Sequence, residues 1–560
     1  MLRPVLQQFA QLRQLQDLYE ESRHLQGREF IGSLLRSLHI TLDYDPAELR
    51  RLPPGAFVAL ANHPCGLLDG LVLLYLLSGE RPDFRMVAND LLAPLLPHLP
   101  AQLVLVNPAR ALAGQNVPGV RRLLRYLHND VPLGLFPAGE VAHRPTLFRA
   151  PLEPEWNPTA GRLLSKARVP VVPIWLSGQN SESFGLLGLV HPWLRTARLP
   201  AELLNKRGQT IQIRIGQPVS AADLSQLAEP DRLPYLRARV YALSAHPLAP
   251  VLLPDTPGVP AVVAETDKAL IEADMAALRP SRCVLQTGSW EVYVARKAEI
   301  PHVLREIGRL RELTFRAEGE GTQQPIDLDE YDEYYRHLFL YDRAAGQLVG
   351  AYRIGPGRSI LRQHGKRGFY LHSLFRLKKE LVPLLRQSLE LGRSFIRAEY
   401  QKQPQPLALL WKGIAEYLAR HPHYHYLIGP VSISNRFSAA SRAVMVDFLT
   451  RHYFDAELAQ AVVPRKSFRY RPLDAGETPA ILQTGLENLP DLHKLITGFE
   501  LGGGGVPVLL RQYLKQNGRL IGFNLDPKFS NALDGFIVLD ARDLPARTHR
   551  LLDRYPDNRP

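Results

Sequence analysis

The chain has 560 residues, 45% apolar and 22% charged, which is ordinary globular composition and excludes a fully disordered polypeptide. Its 68 basic against 55 acidic residues leave a net charge of +13, which favours an anionic partner: nucleic acid, an anionic membrane surface or an acidic carrier protein. Two cysteines, Cys65 and Cys283, exclude a disulfide scaffold, and no C-x-x-C pair or Cys/His cluster suggests a metal site.

At about 150 residues per domain the length suits three or four domains, or two large ones. Residues 1 to about 45 read as amphipathic helix, with Val5, Phe9, Leu12 and Leu15 at helical spacing. Such a helix either packs on its own domain or lies on a membrane surface. The N-terminus does not read as a signal peptide. The longest apolar run, Leu71 to Leu77, falls far short of the roughly 20 residues of a spanning helix. The expectation is a soluble or peripheral protein.

From residue 56 to about 217, short apolar runs alternate with helical stretches. Phe57–Ala61, Leu103–Val106, Leu133–Phe136 and Val171–Trp175 read as buried strands, with helices over Gly119–Asn129 and Asn157–Ala167. This alternation predicts an α/β domain with a largely parallel sheet. Ile211–Ile215 reads as a late strand and Asp223–Ser244 as closing helices. Residues 246–260 contain five prolines and read as a linker. Residues 261–280 read as helical. Beyond them, Trp290–Ala295, Gly346–Ile354, Tyr424–Pro430 and Leu520–Phe523 read as strands. Pro301–Phe315, Pro383–Phe395 and Pro406–Arg420 read as helices. The expected architecture is two α/β domains: 1–245, a linker and helix at 246–280, and 281–545.

The first strand runs into Asn62-His-Pro-Cys-Gly-Leu-Leu-Asp69. A His at a strand end can take a proton from a hydroxyl, and a carboxylate one turn onward can hold its tautomer. The simpler alternative is a His that caps a helix. Two further blocks follow in order, Phe136-Pro-Ala-Gly-Glu140 and Val169-Pro-Val-Val-Pro-Ile-Trp175. These three motifs resemble those of the glycerolipid (lysophospholipid) acyltransferases over roughly residues 1–245. Five residues separate His63 from Asp69 where the family has four, and Glu140 follows Gly139 rather than preceding it. Both departures resemble the hemolysin-like branch found in aminolipid synthesis. The resemblance implies His63 as general base with Asp69 as its partner. It also implies substrate contacts from Asn62, Gly66, Phe136, Pro137, Gly139 and Glu140, with Arg110 near the family's second block. Cys65, beside His63, is not read as a nucleophile, because buried cysteine is usually inert.

In the second half, Arg311-Glu-Leu-Thr-Phe-Arg316 ends a helix. It is followed by the acidic stretch Asp327–Asp332, a hairpin around Ala345-Gly346 that carries Arg353, and Leu389-Glu-Leu-Gly-Arg393. In this order the pieces resemble the GNAT-like N-acyltransferases of ornithine-lipid synthesis and, more distantly, acyl-homoserine-lactone synthases, over roughly 281–545. The resemblance implies Glu390 as acceptor of an amine proton. Arg353, Arg393 and Asp332 would shape the amino-acid or acyl pocket, and Arg311 and Phe315 would line the substrate face. The alternative is an ion pair between Glu390 and Arg393, one helical turn apart.

Together the two resemblances imply a bifunctional acyltransferase. It would N-acylate ornithine or glycine with a 3-hydroxyacyl group from acyl carrier protein, then O-acylate the new hydroxyl. The donor is acyl carrier protein or coenzyme A thioester, and no metal or other cofactor is implied. Lys366, Arg367, Arg376, Lys378, Lys379 and Arg386 would meet the acidic carrier or lipid headgroups at the cytoplasmic face of the membrane. No nucleic-acid module is readable. Two alternatives stand beside this: a lysophospholipid acyltransferase with a silent GNAT-like half, and a membrane interaction protein with both sites inactive.

Overall fold

A computed structural model describes residues 17, 20–89, 98–106, 117–142, 153–181, 184, 201–245, 260–278, 280–468, 488–500, 504–546 and 548. Chain contacts divide these into two units. The first takes its described residues from Met1–Leu248, Ser438–Val444 and Arg471–Gly505, and the second from Ala249–Phe437, Met445–Tyr470 and Val506–Pro560.

Seven strands of the first unit form one sheet: β1 (Thr41–Asp43), β2 (Val58–Ala61), β3 (Arg85–Asn89), β4 (Leu103–Val106), β5 (Leu133–Leu135), β6 (Val171–Leu176) and β7 (Thr210–Ile215). Their order is β1-β7-β6-β2-β5-β3-β4. All described neighbours are parallel except β6 and β7. The central strand β2 is buried at every residue. Ala59 and Ala61 face a cluster built on Phe30, Leu34, Leu71 and Leu74, while Val58 and Leu60 face one built on Leu123, Leu163 and Leu236. An alternating strand covered on both faces reads as a continuous apolar run, which is why FVALA was legible as a strand. Because β2 is parallel to both neighbours, its C-terminal end opens where ligands bind in such sheets. Asn62 and His63 stand there.

The second unit has an eight-stranded sheet in the order β16-β17-β14-β13-β11-β10-β9-β8. In chain order these are β8 (Cys283–Thr287), β9 (Trp290–Ala295), β10 (Arg336–Asp342), β11 (Gln347–Pro356), β13 (Ser388–Ile396), β14 (Tyr426–Ile433), β16 (Arg519–Asp526) and β17 (Ala532–Asp540). The short pair β12 (Phe375–Leu377) and β15 (Val462–Pro464) stands apart. The sheet is antiparallel except for β13 and β14, which pair over only three residues, from Ser388↔Tyr426 to Glu390↔Ile428. Beyond Glu390 the two strands part within the sheet.

The expected helix over Pro383–Phe395 is corrected. Helix Val382–Arg386 ends early and Ser388–Ile396 is strand β13. Its first four residues are buried between β11 and β14, and periodicity alone does not separate such a run from a buried helix segment. The expected hairpin is present as β10 and β11. Residues 1–16, 18 and 19 of the N-terminal helix expectation and nearly all of the proline-rich linker lie outside the described residues, as does Arg110. Helix Gly27–Ser37 falls within the first expectation, which is corrected at its end: Thr41–Asp43, expected as helix, is strand β1.

Candidate functional sites

His63 sits in the turn between β2 and helix Leu67–Glu80. The turn closes at Gly66, whose φ of 81° favours glycine. Asp69, one turn into the helix, is buried, and its Oδ2 accepts three hydrogen bonds. They come from His63 Nδ1 at 2.9 Å and from the main-chain N–H groups of Cys65 and Gly66 at 2.8 Å each. Nδ1 bound to a carboxylate leaves Nε2 as the ring nitrogen able to take a proton.

Phe136 from the second motif stacks on the imidazole, centroids 3.8 Å apart and planes 10° from parallel. The following strap returns to the same residue, with Ala142 N–H donating to the His63 carbonyl at 2.9 Å. Pro137 is buried, whereas Gly139 and Glu140 are exposed. The Asn62 carboxamide clamps β2 to β6, donating to the Leu176 carbonyl at 2.9 Å and accepting from the Leu176 N–H at 2.7 Å. Expected as a substrate contact, it is instead a strand clamp. Cys65 is buried, and burial followed by the nearby Asp69 charge pushes its thiol well above the usual range, as an inert cysteine requires.

One carboxylate at this site carried no sequence signal. Glu153 is buried, and its Oε1 accepts the main-chain N–H of His63 at 3.0 Å. Its Oε2 accepts Trp156 Nε1 at 2.9 Å and the Tyr241 hydroxyl.

In the second unit Glu390 occupies the point on β13 where β14 leaves it. It is buried, with Oε1 accepting Leu371 N–H at 2.6 Å and Oε2 accepting Tyr370 N–H at 3.1 Å and the Tyr335 hydroxyl. Burial pushes its carboxyl up to about 7 against the lowering effect of these donors and of Arg353. A cavity of about 10 Å³, room for about one water, is lined by Glu390, Tyr335, Tyr370, Arg353, Gly392, Arg393 and Pro430.

Three arginines and three aspartates pack beside it. Arg311 meets Asp332 at 2.9 Å, Arg353 meets Asp332 at 3.3 Å and also Asp329, and Arg393 meets Asp327 at 2.9 Å. Burial raises the Asp332 carboxyl, but the Arg311 and Arg353 charges outweigh it and hold it far below the usual range. His337 alongside is pushed down to about 3 by burial and then by Arg311. Arg353 lies over the rings of Tyr331, Tyr335 and Tyr370. The alternative Glu390–Arg393 pair does not form: on a strand the two do not share a helical face. Arg393 has a φ of 50° at a register shift between β11 and β13. Such a bulge re-aims a side chain, and that of Arg393 meets Asp327.

Arg311 was expected on the substrate face and is instead fully buried beneath it. Phe315 is half-buried, edge-on to Phe529 at 5.2 Å, and Phe529 lies under Arg393 at 4.8 Å. Tyr335, Tyr370, Asp327 and Asp329 complete the site and were missed as individuals. The acidic stretch was visible, but nothing marked which of its members point inward, and the tyrosines carried no signal.

Each unit thus holds a sheet with a base candidate, His63 in the turn after β2 and Glu390 near the start of β13. Residues 12–246 match the acyltransferase family model and residues 310–412 match the acetyltransferase (GNAT) domain model. The chain is an acyltransferase, with an acyltransferase domain followed by a GNAT-type domain. It is 28% identical over 304 residues to a glycine N(alpha)-acyltransferase of Bacteroides thetaiotaomicron, covering 50% of this chain and 85% of that one. To the glycine N(alpha)-acyltransferase of Phocaeicola vulgatus it is 26% identical over 302 residues, covering 50% and 89%. To a lyso-glycine lipid O-acyltransferase of Bacteroides thetaiotaomicron it is 27% identical over 208 residues, covering 36% and 73%.

Proposed function

We propose that this chain carries out both acylations of an amino-acid lipid. The GNAT-type domain N-acylates glycine, or ornithine, with a 3-hydroxyacyl group from acyl carrier protein. The N-terminal domain then O-acylates the hydroxyl of that single-chain product. The observation that carries the reading is the presence of two separate proton-acceptor sites in one chain: His63 held by Asp69, and Glu390 at the opening of β13 and β14. Similarity both to N-acyltransferases named for glycine and to an O-acyltransferase named for lyso-glycine lipid supports glycine ahead of ornithine.

In the first step the neutral amine attacks the thioester carbonyl. A C–N bond forms and the C–S bond breaks. The amine proton passes to Glu390, directly or through one water, and from there to the leaving thiolate. A carboxyl near 7 is suited to this exchange at neutral pH. In the second step His63 Nε2 takes the hydroxyl proton as oxygen attacks a second thioester, and the imidazolium returns it to the leaving thiolate. No acyl-enzyme is required. Joining both steps on one chain raises the effective concentration of the single-chain product for the second.

Lys366, Arg367, Arg376, Lys378, Lys379 and Arg386 suit an acidic carrier or anionic headgroups. Among the described residues no helix is long and apolar enough to cross a membrane. The proposal includes peripheral attachment at the inner membrane face. Purified protein supplied with glycine or ornithine and 3-hydroxyacyl-carrier protein tests the reading by mass spectrometry. An N-acylated amino acid followed by its O-acylated form is expected. Acylation of lysophosphatidate without any acyl-amino acid would overturn it.

A further inference from the structure

Glu153 lies 90 residues from His63 in the chain, between the second and third motifs, and belongs to neither. The residue is 4% exposed. Burying an anion costs several kcal/mol unless hydrogen bonds and countercharge offset it. The hydrogen bonds are complete: His63 N–H on Oε1, with Trp156 Nε1–H and the Tyr241 O–H on Oε2. Three converging donors call for a group that only accepts. Its own main-chain carbonyl accepts Arg237 Nη2 at 3.0 Å. Burial raises the carboxyl overall, against the lowering effect of Tyr241, Trp156, Arg237 and the nearby His63.

These contacts complete the immobilisation of the imidazole. Asp69 holds it by Nδ1, Phe136 by its face, Ala142 by the residue's carbonyl, and Glu153 by the residue's N–H. Of the four, Glu153 alone is tied to the helix Glu229–Ala242, through Tyr241. Packing alone does not account for an anion here. An apolar side chain would leave three donors unpaired and a neutral amide would offer one accepting oxygen, whereas a negative charge beside a base gains value when that base becomes a cation.

We propose that Glu153 is a positioning residue for O-acyl transfer. It acts through His63, fixing the main chain of the base and supplying a second negative charge for the imidazolium formed during reaction. This rests on the reading of His63 as the base for the acceptor hydroxyl.

The full-length protein is assayed for O-acylation of a synthetic N-(3-hydroxyacyl)glycine with acyl-carrier thioester. Wild type, Glu153→Gln and Glu153→Ala are compared, and the melting transition of each is recorded. Glu153→Gln keeps an oxygen for the His63 N–H and removes the charge, whereas Glu153→Ala removes both. A small displacement of a catalytic group is worth up to about 100-fold, so kcat is expected to fall about 10-fold in Glu153→Gln and about 100-fold in Glu153→Ala. The acceptor KM should stay within about twofold, as expected for a group acting on the chemical step rather than on binding. N-acylation by the same samples should be unchanged, which serves as the control for intact protein. Wild-type kcat in both variants, or a raised KM at unchanged kcat, overturns the proposal. Equal losses in the two variants that track a lowered melting temperature overturn it in favour of a purely architectural carboxylate. If wild type itself O-acylates nothing, the reading of His63 fails first, and that result is distinct from either of these.

Discussion

Asp69 in the first unit and Glu390 in the second each accept two main-chain N–H groups and one side-chain donor. The N–H pairs come from the turn into a helix in both cases: Cys65 and Gly66 before Leu67–Glu80, Tyr370 and Leu371 at the start of Tyr370–Leu374. Their uses diverge. Asp69 has a histidine as its third donor, and that histidine is the proposed base. Glu390 has a tyrosine, and its own carboxyl, pushed up to about 7, is the group proposed to exchange a proton. In the proposed reactions the same cradle orients a base in one unit and tunes one in the other. The second also stands beside a dense ionic cluster, whereas His63 is held by the Asp69 carboxylate, the Phe136 ring and main-chain bonds to Glu153 and Ala142.

Removing each base separates the two most sharply. His63→Ala should lower O-acyl transfer by about 10³-fold, within the span of general-base catalysis, and leave N-acyl transfer intact. Glu390→Gln should lower N-acyl transfer by about 100-fold in the reverse pattern, read by product mass spectrometry. Cross-inhibition of both steps by either change would break the comparison.

Stability should distinguish the sites next. Asp332→Asn leaves Arg311 and Arg353 without their shared buried countercharge. Breaking such a pair costs about 3–5 kcal/mol, measured by denaturant unfolding of the second unit's transition. Phe136→Ala should cost about 1 kcal/mol from the lost stack, seen as a few-fold fall in O-acyl transfer.

The finest test concerns pH. A base must be ionised to act, so N-acyl kcat/KM should rise with pH through about 7. The Tyr335 hydroxyl holds the Glu390 carboxyl down, so Tyr335→Phe should move this rise to higher pH. The sign for stability is opposite. A carboxyl raised in the folded chain binds protons there that the unfolded chain does not. Its contribution to stability is therefore fullest below about 4.5, the ordinary glutamate value, and is lost as pH rises towards 7. A Tyr335→Phe profile unchanged from wild type would contradict the assignment of Glu390 as the titrating group.

Legibility in the sequence followed chain distance. Asp69 is six residues from His63, within one strand-to-helix turn, and the dyad was readable directly. Phe136 came with its motif, although only the fold shows that it stacks on the imidazole. Glu153, 90 residues from His63, had no periodic or motif signal. Tyr335 and Tyr370 reach Glu390 from 55 and 20 residues away, so that cradle was invisible even though Glu390 itself was named. The error over β13 has the same origin. Ser388–Leu391 are buried by neighbours from distant segments, and no local pattern distinguishes that burial from one face of a helix. The burial of Arg311 was missed for a related reason: arginine is usually exposed, and its countercharge Asp332 comes from a separate segment.

The central claim is that one chain performs two acylations at two bases. A time course of products from glycine, 3-hydroxyacyl-carrier protein and acyl donor, comparing wild type with His63→Ala, tests it most directly. The account predicts that wild type passes through a single-chain acyl-glycine to a two-chain product, while His63→Ala accumulates the single-chain form at an unchanged initial rate. Two-chain product from His63→Ala at the wild-type rate would contradict it.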